Sequence, residues 1–312
     1  MTDSDRLPPP LQLRRVAVGE GWSDGELARL TRSGAWTRVR RGAYVVGDLP
    51  DRASARHRLL VEATLAGLRL PGVVSHQSAA VLLGIPLWDV PLDRVHITRS
   101  PPAWNDAGRY LCCHVARLRD DAIVLVDGVL VTSAVRTALD LARSVPHEAA
   151  VVMLDAALRA EVFSPDELRS HLPDLLRTPG SRAAARAVGA ADGRSESVGE
   201  SRSRLALHRL GLAPSTLQRE VRSADGRLIA RTDFAWEGEG VIGEFDGRIK
   251  YGRLLRPGQD PGDAVFEEKR REDAIRDEGW GVVRWTWSDI SRPERLGPRV
   301  RRALERGAAR IG

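Results

Sequence analysis

Residues 227–247 read RLIARTDFAWEGEGVIGEFDG. Two strand-like runs flank EGEG at 237–240, whose glycines suit a reversal, so the stretch predicts a β-hairpin. If EGEG is a four-residue loop closed by Trp236 opposite Val241, three steps outward on each strand set Asp233 opposite Glu244. Opposed residues share a face, with Cβ atoms about 4.5–5.5 Å apart. Asp246, two residues after Glu244, joins them. Three carboxylates then converge with no basic residue in the hairpin centre, which like charges disfavour unless a cation or proton neutralises them. An oxygen-only set of this kind suits Mg²⁺ or Mn²⁺. Arg231, on the strand face of Asp233, supports the plainer alternative of carboxylates paired with arginines.

Working outward, Ser197 opens a helix through VGESRSRLALHRLG that Gly211 stops. Glu200, three residues beyond Ser197, completes a capping box. Downstream, FEEKRREDAIRDEG is helical in period. Glu268 and Arg271 can pair there, while Lys269 and Arg270 face DNA phosphates or simply water. GVVRWTWSDI alternates Val283, Trp285 and Trp287 on one face, as a core strand would, and ERLGPRVRRALERG adds a basic amphipathic helix.

In this order ADGRSESVGESRSRLALHRLGL, ARTDFAW, VIGEFDGRIKY, EEKRREDAIRDEGW and GVVRWTW resemble the family related to very-short-patch-repair endonucleases, in the PD-(D/E)XK superfamily. The resemblance spans about Glu196 to Ile290. It implies a mixed sheet flanked by helices and metal-dependent phosphodiester hydrolysis. It places the second-strand aspartate at Asp233, the third-strand acid at Glu244, a further acid at Asp246 and the helical glutamate at Glu200. Lys250 stands where histidine is commoner. A lysine can hold a phosphate or stabilise an attacking hydroxide, but it is a poorer general base unless its pKa is lowered. For Glu200, ligand and helix cap remain alternatives.

The N-terminal region reads as helices followed by a β-ribbon. Ser23 and Glu26 form a capping box, ELARLTRSG ends at Gly34, and WTRVRRGAYVV alternates with strand period. This is the outline of a winged helix, with Arg29 and Arg32 on its helix and Arg38, Arg40 and Arg41 on its wing, where they would meet phosphates. A helix and hairpin with a solvated basic face is the alternative. From Ala53 to about Arg182 apolar helices alternate with short strands. His76, His96 and His114 fall in separate elements, which favours packed or hydrogen-bonded histidines over metal ligands. GELARLTRSGAWTRVRRGAYVV, VHITRS and VTSAVRTALDLAR resemble the antitoxin of abortive-infection type IV toxin–antitoxin systems. That resemblance implies a winged-helix, autoregulatory DNA-binding module.

With 312 residues and 42% hydrophobic content, two domains are expected. The small, polar stretch TPGSRAAARAVGAADGRSES places a border between about Pro179 and Arg194. The expected organisation is mixed α/β (α+β): a winged helix over 1–50, an antitoxin-like mixed region over 51–185 and a restriction-endonuclease-like domain over 194–312. No run of about 18 apolar residues exists and the start is acidic and proline-rich, so a soluble, cytoplasmic protein is expected. The adjacent Cys112 and Cys113 lack zinc spacing and read as small buried hydrophobes. A formal charge of +6 favours a polyanionic partner. Of 48 basic residues only Lys250 and Lys269 are lysines.

Two functions follow as expectations. One is a Mg²⁺- or Mn²⁺-dependent DNA endonuclease, positioned by the winged helix, with Asp233, Glu244 and Asp246 as metal ligands. The other is a non-catalytic antitoxin-type regulator whose nuclease-like domain binds DNA or mediates assembly. A salt-bridged acidic face favours the regulator. An RNA substrate, a homodimer and a partner toxin are left open by the sequence.

Overall fold

The computed structural model describes residues 10–104, 106–247 and 261–311. It is a mixed α/β fold in two compact units. One runs to Met153 and resumes over Glu161–Gly189, and the other comprises Leu154–Ala160 and the chain from Ala190 onward. Lys250 lies outside the described residues.

The first unit begins with β1 (Leu11–Leu13), α1 (Arg14–Gly19), α2 (Asp24–Arg32), β2 (Trp36–Arg40) and β3 (Ala43–Val46). The strands form an antiparallel sheet in the order β1-β3-β2. Ser23 and Glu26 cap α2 reciprocally, the Ser23 amide donating to Glu26 Oε2 at 2.8 Å and the Glu26 amide to Ser23 Oγ at 3.2 Å. Gly34, at φ 76°, takes the left-handed turn that ends the helix. Next comes α3 (Ala53–Leu65), which buries Leu59 and Val61 and packs on β1 and β2.

The chain continues through β4 (Val73–Val74), α4 (His76–Leu82), β5 (Val95–Arg99), β6 (Asp106–Ala107), β7 (Leu111–Val115), β8 (Ile123–Val126) and β9 (Val129–Thr132). Then follow α5 (Ala134–Ser144), α6 (His147–Arg159), α7 (Pro165–His171) and α8 (Ser181–Ala190). The sheet order is β6-β7-β5-β4-β9-β8, with β7 parallel to β5 and β9 parallel to β4. Val74, Val95, Ile97, Cys113 and Val131 form its core with Leu60 and Ala79. Cys113 is buried there, as expected, while Cys112 is half-buried. Ser133 caps α5 through the Arg136 amide, and Pro146 follows its end.

The second unit contains α9 (Val198–Arg209), β10 (Thr216–Arg222), β11 (Leu228–Trp236), β12 (Val241–Asp246), α10 (Pro261–Asp277), β13 (Gly281–Thr286), α11 (Trp287–Ile290) and α12 (Pro293–Ile311). Its sheet runs β10-β11-β12-β13, antiparallel through β12 and then parallel. A parallel neighbour needs a crossover, which α10 supplies. On one face Phe234, Trp236, Phe245, Val283 and Trp285 pack against α9 and α12. On the other, Ile242 joins Ile275 of α10. A Cβ on Gly243 would sit 2.5 Å from Trp285 and 2.9 Å from Trp236, so only glycine lets these two indoles meet over β12.

The expected strand over 281–290 stops at Thr286. Thr286 and Asp289 form a capping box, the Thr286 amide donating to Asp289 Oδ2 at 2.9 Å, so the chain turns helical from Trp287. Trp287 still meets Phe245 edge-on at 4.8 Å.

Candidate functional site

Trp236 pairs with Val241 and Gly240 adopts a left-handed conformation at φ 57°, which closes the EGEG loop as its letters require. The β11–β12 ladder runs to Phe234↔Gly243 and no further. One step beyond, where the register sets Asp233 opposite Glu244, the Asp233 carboxylate accepts the Phe245 amide at 2.8 Å. A side chain thus takes over from the strand partner at the point where the ladder opens.

Glu244 is 12% exposed and has both oxygens engaged. Arg271 Nη2 of α10 donates to Oε1 and Arg284 Nε of β13 to Oε2, each at 2.8 Å. Arg284 is the register neighbour of Glu244 across the parallel pair. Glu268 receives Arg271 through two bonds, at 2.7 and 3.0 Å, and Arg284 at 2.5 Å. Glu272 takes Arg284 Nη1 at 2.8 Å. Burial opposes the charge of both arginines, yet the surrounding glutamates outweigh it and raise their pKa values. The Glu268–Arg271 pair is the one that helical spacing predicts. Basic partners do answer the acidic face, and they come from α10 and β13 rather than from the hairpin. Arg231 turns to Glu196 instead, at 2.7 Å.

The letters gave a partial signal for Arg284. In GVVRWT it alternates out of phase with Val283 and Trp285, so it had to lie on the sheet face opposite the aromatic core. The parallel register that sets it beside Glu244 depends on the crossover and is invisible locally.

Glu200 is 8% exposed, and Ser197 Oγ caps the helix by accepting the Glu200 amide at 3.2 Å, but the carboxylate does not close the reciprocal box on the Ser197 amide. Its Oε1 accepts from the Ser197 hydroxyl at 2.8 Å, and its Oε2 from the Glu196 amide at 2.8 Å and Gln218 Nε2 at 2.9 Å. Gln218 sits at φ 54°, between the pairs Leu217↔Phe234 and Arg219↔Thr232 and therefore level with Asp233. Asp246 is half-buried at the end of β12. Carboxylate oxygens are the right donors for Mg²⁺ or Mn²⁺. Glu244, however, spends both on guanidinium groups. Among the described residues, the group of metal-ligating side chains with donor atoms within 4.8 Å of one another is made of histidines, not of these acids. With both Glu244 oxygens on guanidinium groups, the acidic set does not fit a divalent ion in this arrangement.

On the first unit, Arg29 and Arg32 are exposed on α2, as are Arg38 on β2 and Arg41 in the β2–β3 turn. Arg40 is half-buried and stacks over the Tyr110 ring at 5.4 Å. Four of the five expected arginines are thus exposed, Arg38 with its guanidinium 5.8 Å over the Tyr44 ring, and Arg40 is half-buried against Tyr110. Lys269 and Arg270 are exposed on α10.

The three histidines lie in separate elements, as read, but the fold brings them together. His96 Nδ1 and His114 Nε2 are 2.9 Å apart, and the His76 and His114 rings stack with centroids 3.8 Å apart. Burial pushes all three toward the neutral form, His96 down to about 3. The signal was there in part: VHITR and LCCHV each carry a histidine at an in-phase strand position. Their pairing offset was not readable.

No family model matches the chain. Two curated relatives, the uncharacterized proteins MT2308 and Rv2248 of Mycobacterium tuberculosis, are each 31% identical over 182 residues, covering 58% of this chain. The chain spans 64% of the length of these relatives. Among solved structures, the Rv2827c protein from Mycobacterium tuberculosis aligns with a TM-score of 0.38 at 16% identity, over 69% of this chain and 84% of that one.

Proposed function

We propose that this chain is a DNA-binding regulator of antitoxin type, whose winged-helix segment contacts DNA and whose C-terminal unit is a nuclease-like scaffold. The observation that carries the reading is the joint display of Arg29, Arg32, Arg38 and Arg41 around α2 and the β2–β3 turn. The segment has the order strand, helix, turn, helix, strand, strand, which suits placing α2 in a major groove and the turn along the adjacent backbone. Exposed guanidinium groups can exchange water for phosphate, and that term supplies affinity without reading sequence. The two-arginine clamp on Glu244 favours a structural role for the acidic face.

A second reading, the Mg²⁺- or Mn²⁺-dependent endonuclease, is favoured by the helix–strand order of the second unit and by Asp233 lying level with Glu244. It requires Glu244 to release a guanidinium. Purified full-length protein incubated with supercoiled plasmid and either ion separates the two. The regulator retards the plasmid and leaves it intact. Cleavage that disappears in Asp233→Ala establishes the nuclease instead.

A further inference from the structure

His76 opens α4 at φ 53°, in the left-handed region that few non-glycine residues enter. From there its ring stacks on His114, with the His96 ring centroid 5.7 Å away. His96 and His114 sit on the adjacent parallel strands β5 and β7, where His96 pairs with Cys112 and Thr98 with His114. The three rings therefore come from three elements, and one nitrogen of each lies within 4.8 Å of the other two.

The hydrogen bonds fix the protons. Gln77 Nε2 lies 2.8 Å from His96 Nε2, so the amide donates to that nitrogen and His96 carries its own proton on Nδ1. That proton is the only one between His96 Nδ1 and His114 Nε2. Every other group around the cluster has an assignment. Ser75 Oγ lies 3.0 Å from His76 Nδ1 and accepts from Thr98, and Ser78 Oγ takes the His96 amide while His57 Nε2 lies 2.8 Å away. Arg143 Nη2, 3.5 Å from His76 Nε2, is a cation beside the cluster; Asp140 holds its Nε at 2.8 Å and takes Arg136 on its other oxygen at 2.8 Å. What remains unusual is three partly or fully desolvated imidazoles in one cluster, His96 and His114 nitrogen to nitrogen and His76 stacked on the face of His114.

We propose that His76, His96 and His114 form a transition-metal site of the zinc class. Neutral imidazoles are the preferred ligands of Zn²⁺ and its neighbours, and burial keeps these rings neutral. Zinc–nitrogen bonds of about 2.0–2.1 Å in tetrahedral geometry set nitrogens roughly 3.4 Å apart, which the His96–His114 pair nearly meets and which His76 reaches by turning its ring off the face of His114. The ion replaces the proton between His96 and His114. His96 then carries its proton on Nε2, and a turnover of the Gln77 amide presents Oε1 to accept it, which orients the ring as metal-bound histidines require. The site is independent of the DNA-binding reading and of the acidic face.

The test uses the full chain stripped with a chelator. Titration with Zn²⁺ against a chromophoric chelator should show one tight equivalent, and Co²⁺ should give the intense visible absorption of a four-coordinate nitrogen-rich site. His96→Gln and His114→Gln should each abolish both signals, and Gln77→Leu should weaken zinc affinity about ten- to a hundredfold. Circular dichroism and melting report whether each variant folds, and the wild-type titration decides by itself if one does not. Failure of the wild type to bind stoichiometric zinc overturns the site. So does an equivalent that survives His96→Gln and His114→Gln but is lost in Asp233→Asn, which would assign it to the acidic face.

Discussion

The acidic face of the second unit and the N-terminal segment of the first treat charge in opposite ways, although the first unit also closes Asp140 between Arg136 and Arg143. In the second, Glu244, Glu268 and Glu272 meet Arg271, Arg284 and Arg276 in one partly buried network, three carboxylates against three guanidinium groups. In the first, Arg29, Arg32, Arg38 and Arg41 are exposed, while His57 and His76 are buried and His96 and His114 half-buried. An acidic cluster in a sequence is thus no guide to an exposed negative site until its cations have been placed. Exposed arginines that no carboxylate holds are the ones the proposed DNA contact needs. The difference can be broken or sharpened from either side.

The largest effect is expected from opening the closed network. Arg284→Ala removes the cation shared by three glutamates and should cost the second unit roughly 2–4 kcal/mol in chemical denaturation, since removing one partner strands the others. If Mn²⁺ restored that stability in the variant but not in the wild type, the acids would be a latent metal site. Next in size, Arg38→Ala combined with Arg41→Ala should weaken binding to duplex DNA by about tenfold or more at low salt. Arg40→Ala should leave DNA affinity nearly unchanged and cost roughly 0.5–1 kcal/mol of stability from the lost stacking on Tyr110.

The buried histidines predict a pH dependence in metal-free protein. Their folded pKa values lie below the unfolded value of about 6.5. Above that pH they are neutral in both states. Below it the unfolded chain takes up protons that the folded chain refuses, so stability present near neutrality is lost as pH falls, down to about 3 for His96. Each such histidine can contribute up to about 1.4 kcal/mol per pH unit in that window. Asp140, whose pKa is lowered, loses its contribution further toward acid. The first unit should melt lower at pH 5.5 than at 7.5, and His96→Gln should flatten that slope. Smallest of all, Glu200→Gln keeps an oxygen for the Glu196 amide and should cost less than about 1 kcal/mol. A large loss of any DNA-directed activity in that variant would reassign Glu200 from cap to site.

Local rules were legible in the letters. Ser23 with Glu26, the Ser133 and Ser197 caps, Gly34 and the EGEG loop all do what short-range backbone chemistry demands, and the hairpin register at Trp236↔Val241 follows from loop length alone; the Glu200 carboxylate instead takes the Glu196 amide. What escaped was set by long-range pairing. Arg284 meets Glu244 only through the parallel partnership of β12 and β13, 40 residues apart in sequence. His96 and His114 meet through that of β5 and β7. Arg40 looked like its wing neighbours until Tyr110 was placed beside it. Trp287 fitted the strand alternation, but the Thr286–Asp289 box bent the chain first.

The salt dependence of DNA binding tests the central claim most directly. Affinity of the wild type for a duplex should fall steeply with salt, and the Arg38→Ala, Arg41→Ala double variant should bind more weakly with a log–log slope shallower by about 2. An unchanged affinity and slope in the double variant would contradict the account.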